Sequence, residues 1–285
     1  MQKIKEAKIY GGKYTIRFVE DKDVWPEVHE YHIDGKKVDL TGSYIVKVLD
    51  KPALVGWAAK MCGIFLEENT SRIPSLLVET LTGLQVDEIA LQSFIKDMKA
   101  YKDKQKKDAA AIGTMAHLWI ENHIKNVLGL GPVPARPVNV AVNNSIDAFL
   151  KWESEERVKY IATERMLYSK KYRWAGTMDI EAEVNHELAV VDNKTGSGIY
   201  VEAEYQTGGY QMAAEEEAKF TKKPTKYGAR WILNLDKITG ELRAKRFVDH
   251  DEAQKGFLAC LTLARFKFAR DKIARMEKIE KMNRK

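Results

Sequence analysis

Between Tyr160 and Lys194 the chain reads as three strands in immediate succession, and no other stretch limits the fold so strongly. Tyr160 to Tyr168 and Ala175 to Val184 carry strand patterns, an Asn185-His186 turn follows, and Leu188 to Lys194 continues as a third, which predicts an antiparallel meander. Beyond Gly196 and Gly198, residues 202 to 220 return to a helical pattern. Tyr227 to Leu235 and Leu242 to Phe247 read as strands joined across Asp236-Lys237-Ile238-Thr239-Gly240, and a long basic helix spans 250 to 283. Helices precede the meander as well, so the order predicts an α/β (α+β mixed) fold whose central mixed sheet is flanked by helices.

Upstream, residues 8 to 48 look like short strands. Ile9 to Phe18 suggests a hairpin turning at Gly11-Gly12, and Tyr31 to Val38 contains the Asp34-Gly35 pair that tight hairpins favour. Gly12-Lys13 is only turn chemistry here, because the full P-loop spacing is missing and nucleotide hydrolysis has no support. From Pro52 the pattern is helical over 52 to 68, 85 to 106, 109 to 128 and 139 to 159, with Pro132, Pro134 and Pro137 separating the last two. These patterns divide the chain into an N-terminal β-rich segment (1–50), a helical region (51–159) and a core region (160–285), the last two expected to form one compact domain.

Composition bounds the class. With 285 residues, 45% hydrophobic and 31% charged, the chain can bury a sizeable core as a soluble globular protein. A net charge of +6 and a pI near 9.0 suit a polyanionic partner without requiring one. Cys62 and Cys260 lie far apart with no Cys-x-x-Cys spacing, so neither a disulfide framework nor a cysteine-ligated metal is indicated, and both are expected in the core. Met1 to Glu6 lacks the apolar stretch of a signal peptide, and no run approaches the roughly 20 apolar residues of a membrane span. The expectation is an intracellular protein that does not engage a membrane.

The meander also carries chemistry. Gly176-Thr177-Met178-Asp179 ends on an acid, and Asp192-Asn193-Lys194 places an Asp and a Lys two residues apart, on one face of an extended strand. An isolated Asp-x-Lys most often marks a surface ion pair on an edge strand, worth little. Two carboxylates and a lysine on adjacent strands are also the minimal kit for metal-assisted cutting of a phosphodiester, since a hydrated metal ion offsets the cost of burying such charges together.

Four motifs in order bring a resemblance. Gly113-Thr114-Met115-Ala116-His117, Gly176-Thr177-Met178-Asp179, Asp192-Asn193-Lys194 and Gln206-Thr207-Gly208-Gly209-Tyr210 resemble those of the PD-(D/E)xK nuclease superfamily, in its RecB-like branch of phage recombination exonucleases. The likeness covers 109–220, and Asp50 to Trp57 more loosely resembles the helical lead-in of phage members. It implies a restriction-endonuclease-like core and a DNA exonuclease that uses Mg2+ or Mn2+, hard cations suited to carboxylate oxygen. Asp179 and Asp192 would be ligands, with His117 and the peptide carbonyl of Asn193 as further ones. Lys194 would sit beside the attacking water and offset charge on the phosphorane oxygens, or accept a proton if the metal depressed its pKa. Glu164 would touch the metal site through water, or simply face solvent. Gln206 and Tyr210, one turn apart on a helix, would position DNA, with Gln211 as a substitute.

The same resemblance implies linear single- or double-stranded DNA as substrate, a phage single-strand annealing or recombination protein as partner, and the cytoplasm of a bacterial host if the chain is phage-encoded. Phage-type recombination, DNA end processing or repair would be the setting. A sequence- or structure-specific endonuclease and a non-catalytic recombination accessory protein are the alternatives. Two departures stand out: Asn193 occupies a position that is aromatic in many phage relatives, and two cysteines cannot supply the four ligands of the iron-sulfur cluster some relatives hold. His29, His32, His123, His186 and His250 show no ligand spacing. Lysines between Lys96 and Lys107 and basic residues from Arg265 to Lys281 are either solvated faces or DNA contacts, and Trp57, Trp119, Tyr172 and Trp174 are candidates to stack on bases, although core packing explains Trp119 better. Gly208 and Gly209 each cost a helix about 1 kcal/mol, so a close approach of backbone or ligand is expected there.

Overall fold

In the computed structural model the N-terminal residues pair as four antiparallel strands, β1 (Lys3–Ile9), β2 (Tyr14–Asp21), β3 (Val28–Ile33) and β4 (Lys36–Val38), side by side in that order. The structure describes residues 2–21, 23–24, 27–221 and 225–283, and Met1 of the start considered above lies outside them. Both expected hairpins form. Tyr10, Gly11 and Gly12 in the first turn and Asp34 and Gly35 in the second have positive φ, the conformation that right-twisted strands need in a tight connection. The short helix α1 (Gly42–Val46) follows, its first turn capped by the Thr41 hydroxyl, which accepts from the Tyr44 N–H at 3.2 Å.

The described chain falls into two compact units, Met1–Leu49 with Met115–Lys285, and Asp50–Thr114. The latter contains α2 (Pro52–Glu68), a hairpin of β5 (Leu77–Thr80) and β6 (Gly83–Val86), and the first part of α3 (Glu88–Val127). Its small core is aromatic, with Phe65 set against Phe94 at 5.2 Å and Tyr101 at 5.6 Å between ring centres. Two expectations change in this stretch. The helical reading missed the β5–β6 hairpin, whose turn uses Gly83 at φ +113°. The helices expected over 85–106 and 109–128 are one, because Lys106-Lys107-Asp108-Ala109-Ala110-Ala111 contains nothing that breaks a helix and several of its best formers. Residue 159 is not a boundary between the units either, since the elements on both sides of it belong to the first.

Those elements are α4 (Val140–Glu155) and a five-stranded sheet of β7 (Val158–Ser169), β8 (Trp174–Val184), β9 (Glu187–Lys194), β10 (Ala229–Leu235) and β11 (Leu242–Phe247), ordered β11-β10-β9-β8-β7. The meander β7-β8-β9 is antiparallel, β9 and β10 are parallel, and α5 (Val201–Phe220) makes the crossover that a parallel pair requires. The sheet is therefore mixed, with helices on both faces. On one face Met178 and Val190 pack with Tyr210 and Ala213 of α5 and with Phe257 and Leu261 of α6 (His250–Asn283). On the other, Ile180, Ala182 and Val191 pack with Ile120 and Ile124 of α3 and Phe149 and Trp152 of α4. The N-terminal sheet joins this unit through Ile16, Phe18 and Tyr31, which pack on Met166 of β7 and Ala175 of β8. No helix among the described residues is long and apolar enough to cross a membrane.

Gly208 and Gly209 owe their place to helix packing, which resolves the choice between backbone and ligand. A Cβ on Gly208 would lie 2.8 Å from the Cβ and 2.9 Å from the carbonyl carbon of Ala253, and one on Gly209 would lie 2.7 Å from the Phe257 ring. In return, a Cβ on Gly256 would meet the Tyr205 ring at 2.5 Å. Gly208→Ala should therefore lower stability by about 1–2 kcal/mol in urea unfolding, the overlap with fixed backbone exceeding the gain in helix propensity of about 1 kcal/mol. A variant more stable than the parent would mean that α5 and α6 are not in contact here.

Candidate active site

Side chains two apart on a strand share a face, yet Met178 packs with α5 and α6 while Ile180 packs with α3 and α4. The alternation breaks at Asp179, and so does the pairing. Thr163 pairs with Ile180 and Arg165 with Met178, but Glu164 and Asp179 between them make no ladder pair, and β8–β9 pairing ends at Ile180 opposite Val191. Glu164 has φ +52°, a left-handed conformation that costs a non-glycine residue roughly 1 kcal/mol or more. Two expected acids thus stand at one interruption of the sheet.

The gap is bridged by a side chain. Oδ2 of Asp179 accepts the backbone N–H of Asn193 at 3.0 Å, so a carboxylate replaces the neighbouring strand as partner. Nδ1 of His117, on α3, lies 3.5 Å from the same oxygen. Burial, and then the charge of Asp192, push the Asp179 carboxyl up to about 6, with His117 and Lys194 opposing the rise. Asp192 is only 2% exposed. Nζ of Lys194 is 2.5 Å from Asp192 Oδ2, a close ion pair. Burial pulls the Lys194 pKa down, yet the charges of Asp192 and Asp179 outweigh it, so the ammonium is held above its usual range.

Lys194 is steadied in turn. Its Nζ donates to Gln206 Oε1 at 3.4 Å, and Gln206 Nε2 donates to the Tyr210 hydroxyl at 2.7 Å. Tyr210 is 4% exposed, wedged where a Cβ on either Gly42 or Gly176 would come within 2.8 Å of its ring. The glycine of the Gly-x-x-Asp motif and the tyrosine of the Gln-x-x-x-Tyr motif are therefore two sides of one contact. Of the expected DNA-positioning pair, Gln206 faces the site and Tyr210 holds it from behind. Gln211 is no substitute: it is buried, its Nε2 donates to Glu215, and it lines a separate surface cavity with Tyr227 and His250 that contains none of the site residues. Trp174 is fully buried in the core and cannot stack on a base, while Trp119 stacks on His123 at 5.3 Å. Cys260 is buried, whereas Cys62 is half-exposed.

Two site residues escaped the sequence. Lys5 of β1 sends Nζ 3.1 Å from both Glu121 Oε1 and Glu164 Oε2, so Glu164 is engaged by an ion pair rather than free in solvent. Burial lowers the Lys5 pKa, but Glu164 and Glu121 outweigh it and leave it raised; burial likewise works against Glu121, which Lys125 and Lys5 still hold below the usual carboxylate range. Glu121 is one turn beyond His117 on α3, and that spacing was a usable signal. Lys5 carried none.

Among the described residues no three His, Cys, Asp or Glu side chains stand together as a metal-ligand cluster. The chemistry of the site still fits a hydrated hard cation, which typically takes one or two carboxylates and keeps several waters. A buried carboxylate, Asp192, and a partly buried one, Asp179, face a single lysine, so the pair carries more negative charge than Lys194 offsets. Asp179 and Asp192 would hold such an ion, with the Asn193 carbonyl as an additional oxygen; His117 lies against Asp179. No protein-family model matches the chain, and no curated protein matches it significantly.

Because the folded-state pKa of Asp179 is raised, the folded protein retains this proton to higher pH than the unfolded chain does. The favourable contribution is complete below pH about 4 and is lost as pH rises through about 6. Without metal, Asp179→Asn should then stabilise the protein by about 1–3 kcal/mol at pH 7.5 and not at pH 4. Thermal unfolding in chelator at the two pH values measures this, and an equal effect at both would contradict the ionisation described.

Proposed function

We propose that this chain is a Mg2+- or Mn2+-dependent deoxyribonuclease on a PD-(D/E)xK-type core, acting on DNA ends in phage-type recombination, end processing or repair. The observation that carries the reading is the interruption of the sheet at Asp179 and Glu164, which turns two carboxylates and a lysine toward one another with a polar chain behind them. A DNA-binding accessory protein would gain nothing from burying Asp179 beside Asp192, an arrangement that costs stability until a cation arrives.

A bound divalent ion would supply Lewis acidity toward the phosphate and activate a water molecule. Asp179, oriented by the Asn193 N–H and His117, and Asp192, held against Lys194, would hold it. Lys194, paired with Asp192, would stand as a positive charge beside the phosphate under attack, where fixed charges are worth most. Gln206 and Tyr210 prevent the lysine from swinging away. Glu164, tied to Lys5, contributes negative charge near Asp179.

End-labelled linear duplex and single strand, incubated with Mg2+ or Mn2+, should yield short products with the parent chain. Asp179→Asn, Asp192→Asn and Lys194→Ala should each lower the rate by at least about a thousandfold while DNA affinity changes by less than about tenfold. Undiminished cutting by either carboxylate variant would remove the proposed site. A closed circle cut as fast as its linear form would change the reading from exonuclease to endonuclease.

A further inference from the structure

A second concavity lies in the same unit as the proposed catalytic residues. Asp39 and Leu40 ahead of α1, Lys171 and Arg173 in the β7–β8 turn, and Arg265 and Phe268 on α6 line it. Among the described residues, neither Lys171, Arg173 nor Arg265 forms an ion pair with a carboxylate. The three cations are spaced by what surrounds them. Arg265 donates from Nη2 to the Tyr172 carbonyl at 2.7 Å, and Lys171 Nζ lies 4.8 Å from the centre of the Tyr172 ring. The turn itself is anchored by the Lys171 N–H, which donates to Glu216 Oε1 of α5 at 2.9 Å.

Arg173 sits at φ +49°, a backbone conformation that glycine or asparagine adopts with less strain. An arginine there places a guanidinium in the pocket at a conformational cost that a plain turn would avoid. Guanidinium groups match phosphate oxygens with paired donors, and a neighbouring ammonium adds a mobile charge. One carboxylate, Asp39, leaves the lining with an excess of two positive charges.

We propose that this pocket binds a backbone phosphate of the DNA several steps away from the scissile bond, an inference that rests on the nuclease reading. Arg173 is six residues from Asp179 in the chain, about 20 Å along a strand at ~3.3 Å per residue. That separation corresponds to about six base steps of duplex at ~3.4 Å each. A terminal phosphate has the same chemistry, but the end being cut lies at the carboxylates, so an internal phosphate is the occupant.

The test compares the parent chain with Lys171→Gln/Arg173→Gln, both exposed side chains, by fluorescence anisotropy in chelator over a range of salt. Three probes are needed: a duplex of about 30 base pairs with 5′-hydroxyl ends, the same duplex with 5′-phosphates, and a tetranucleotide too short to span about 20 Å. Affinity for the long hydroxyl-ended duplex should fall about tenfold and its log–log salt slope should lessen by about one. Tetranucleotide affinity and the effect of end phosphorylation should not change, and the variant should keep its kcat at saturating DNA. Unaltered affinity and slope would overturn the pocket, as would a loss confined to phosphorylated ends or one shared by the tetranucleotide. A parent chain that binds DNA but never cuts it would remove the catalytic reading and leave the pocket standing; a parent that binds no DNA would remove both.

Discussion

The hydrogen bond from the Asn193 backbone to the Asp179 carboxylate organises the rest of the site. Ordinary strand pairing would have met that N–H with a carbonyl of β8 and carried the pleat forward. Instead β8 changes face at Asp179, so the strand serves the α5–α6 cluster on one side of the break and the α3–α4 cluster on the other. Glu164 relieves the same irregularity on β7 by adopting a left-handed backbone. A close pair of carboxylates results, one buried and one partly buried, which the fold tolerates at a cost visible in the raised pKa of Asp179. Such a cost fits a site shaped for a cation.

What keeps this costly arrangement in place is packing behind it. Tyr210 fills the space left by Gly42 and Gly176, fixes Gln206, and through Gln206 restrains Lys194. α5 can present Tyr210 at that depth because Gly208 and Gly209 let α6 close tightly on its other side. Sequence, helix packing and lysine position thus form one mechanical chain, the support that a catalytic constellation needs to hold its geometry.

Much of the fold was legible because strand and helix periods are strong where one face is buried. The expected strands at 175–184 and 242–247 and the helix at 202–220 match β8, β11 and α5 to within a residue at each end. The break at Asp179 was not legible, since a period of two assumes a continuous pleat and no residue of Thr177-Met178-Asp179-Ile180 forbids one. Nor can spacing reveal which surface a glycine admits: Gly176 admits a ring and Gly208 a helix backbone. The β5–β6 hairpin was masked by the apolar, helix-forming residues around it. Lys5 and Glu121 are 116 residues apart in the chain, and only folding brings them together. The proposed nuclease chemistry depends on side chains that the motifs identified, but their division into ligand-bearing, charge-bearing and buttressing groups came from burial and distance.

Manganese binding reports most directly on whether the carboxylate pair is a cation site. Calorimetric titration of the DNA-free chain with Mn2+ at pH 7.5 should give a saturable site in the parent and a binding constant lowered by at least about tenfold in Asp192→Asn, with Asp39→Asn, remote from the pair, unaffected. Equal Mn2+ affinity in all three proteins, or no saturable binding in the parent, would contradict the proposed role of Asp179 and Asp192.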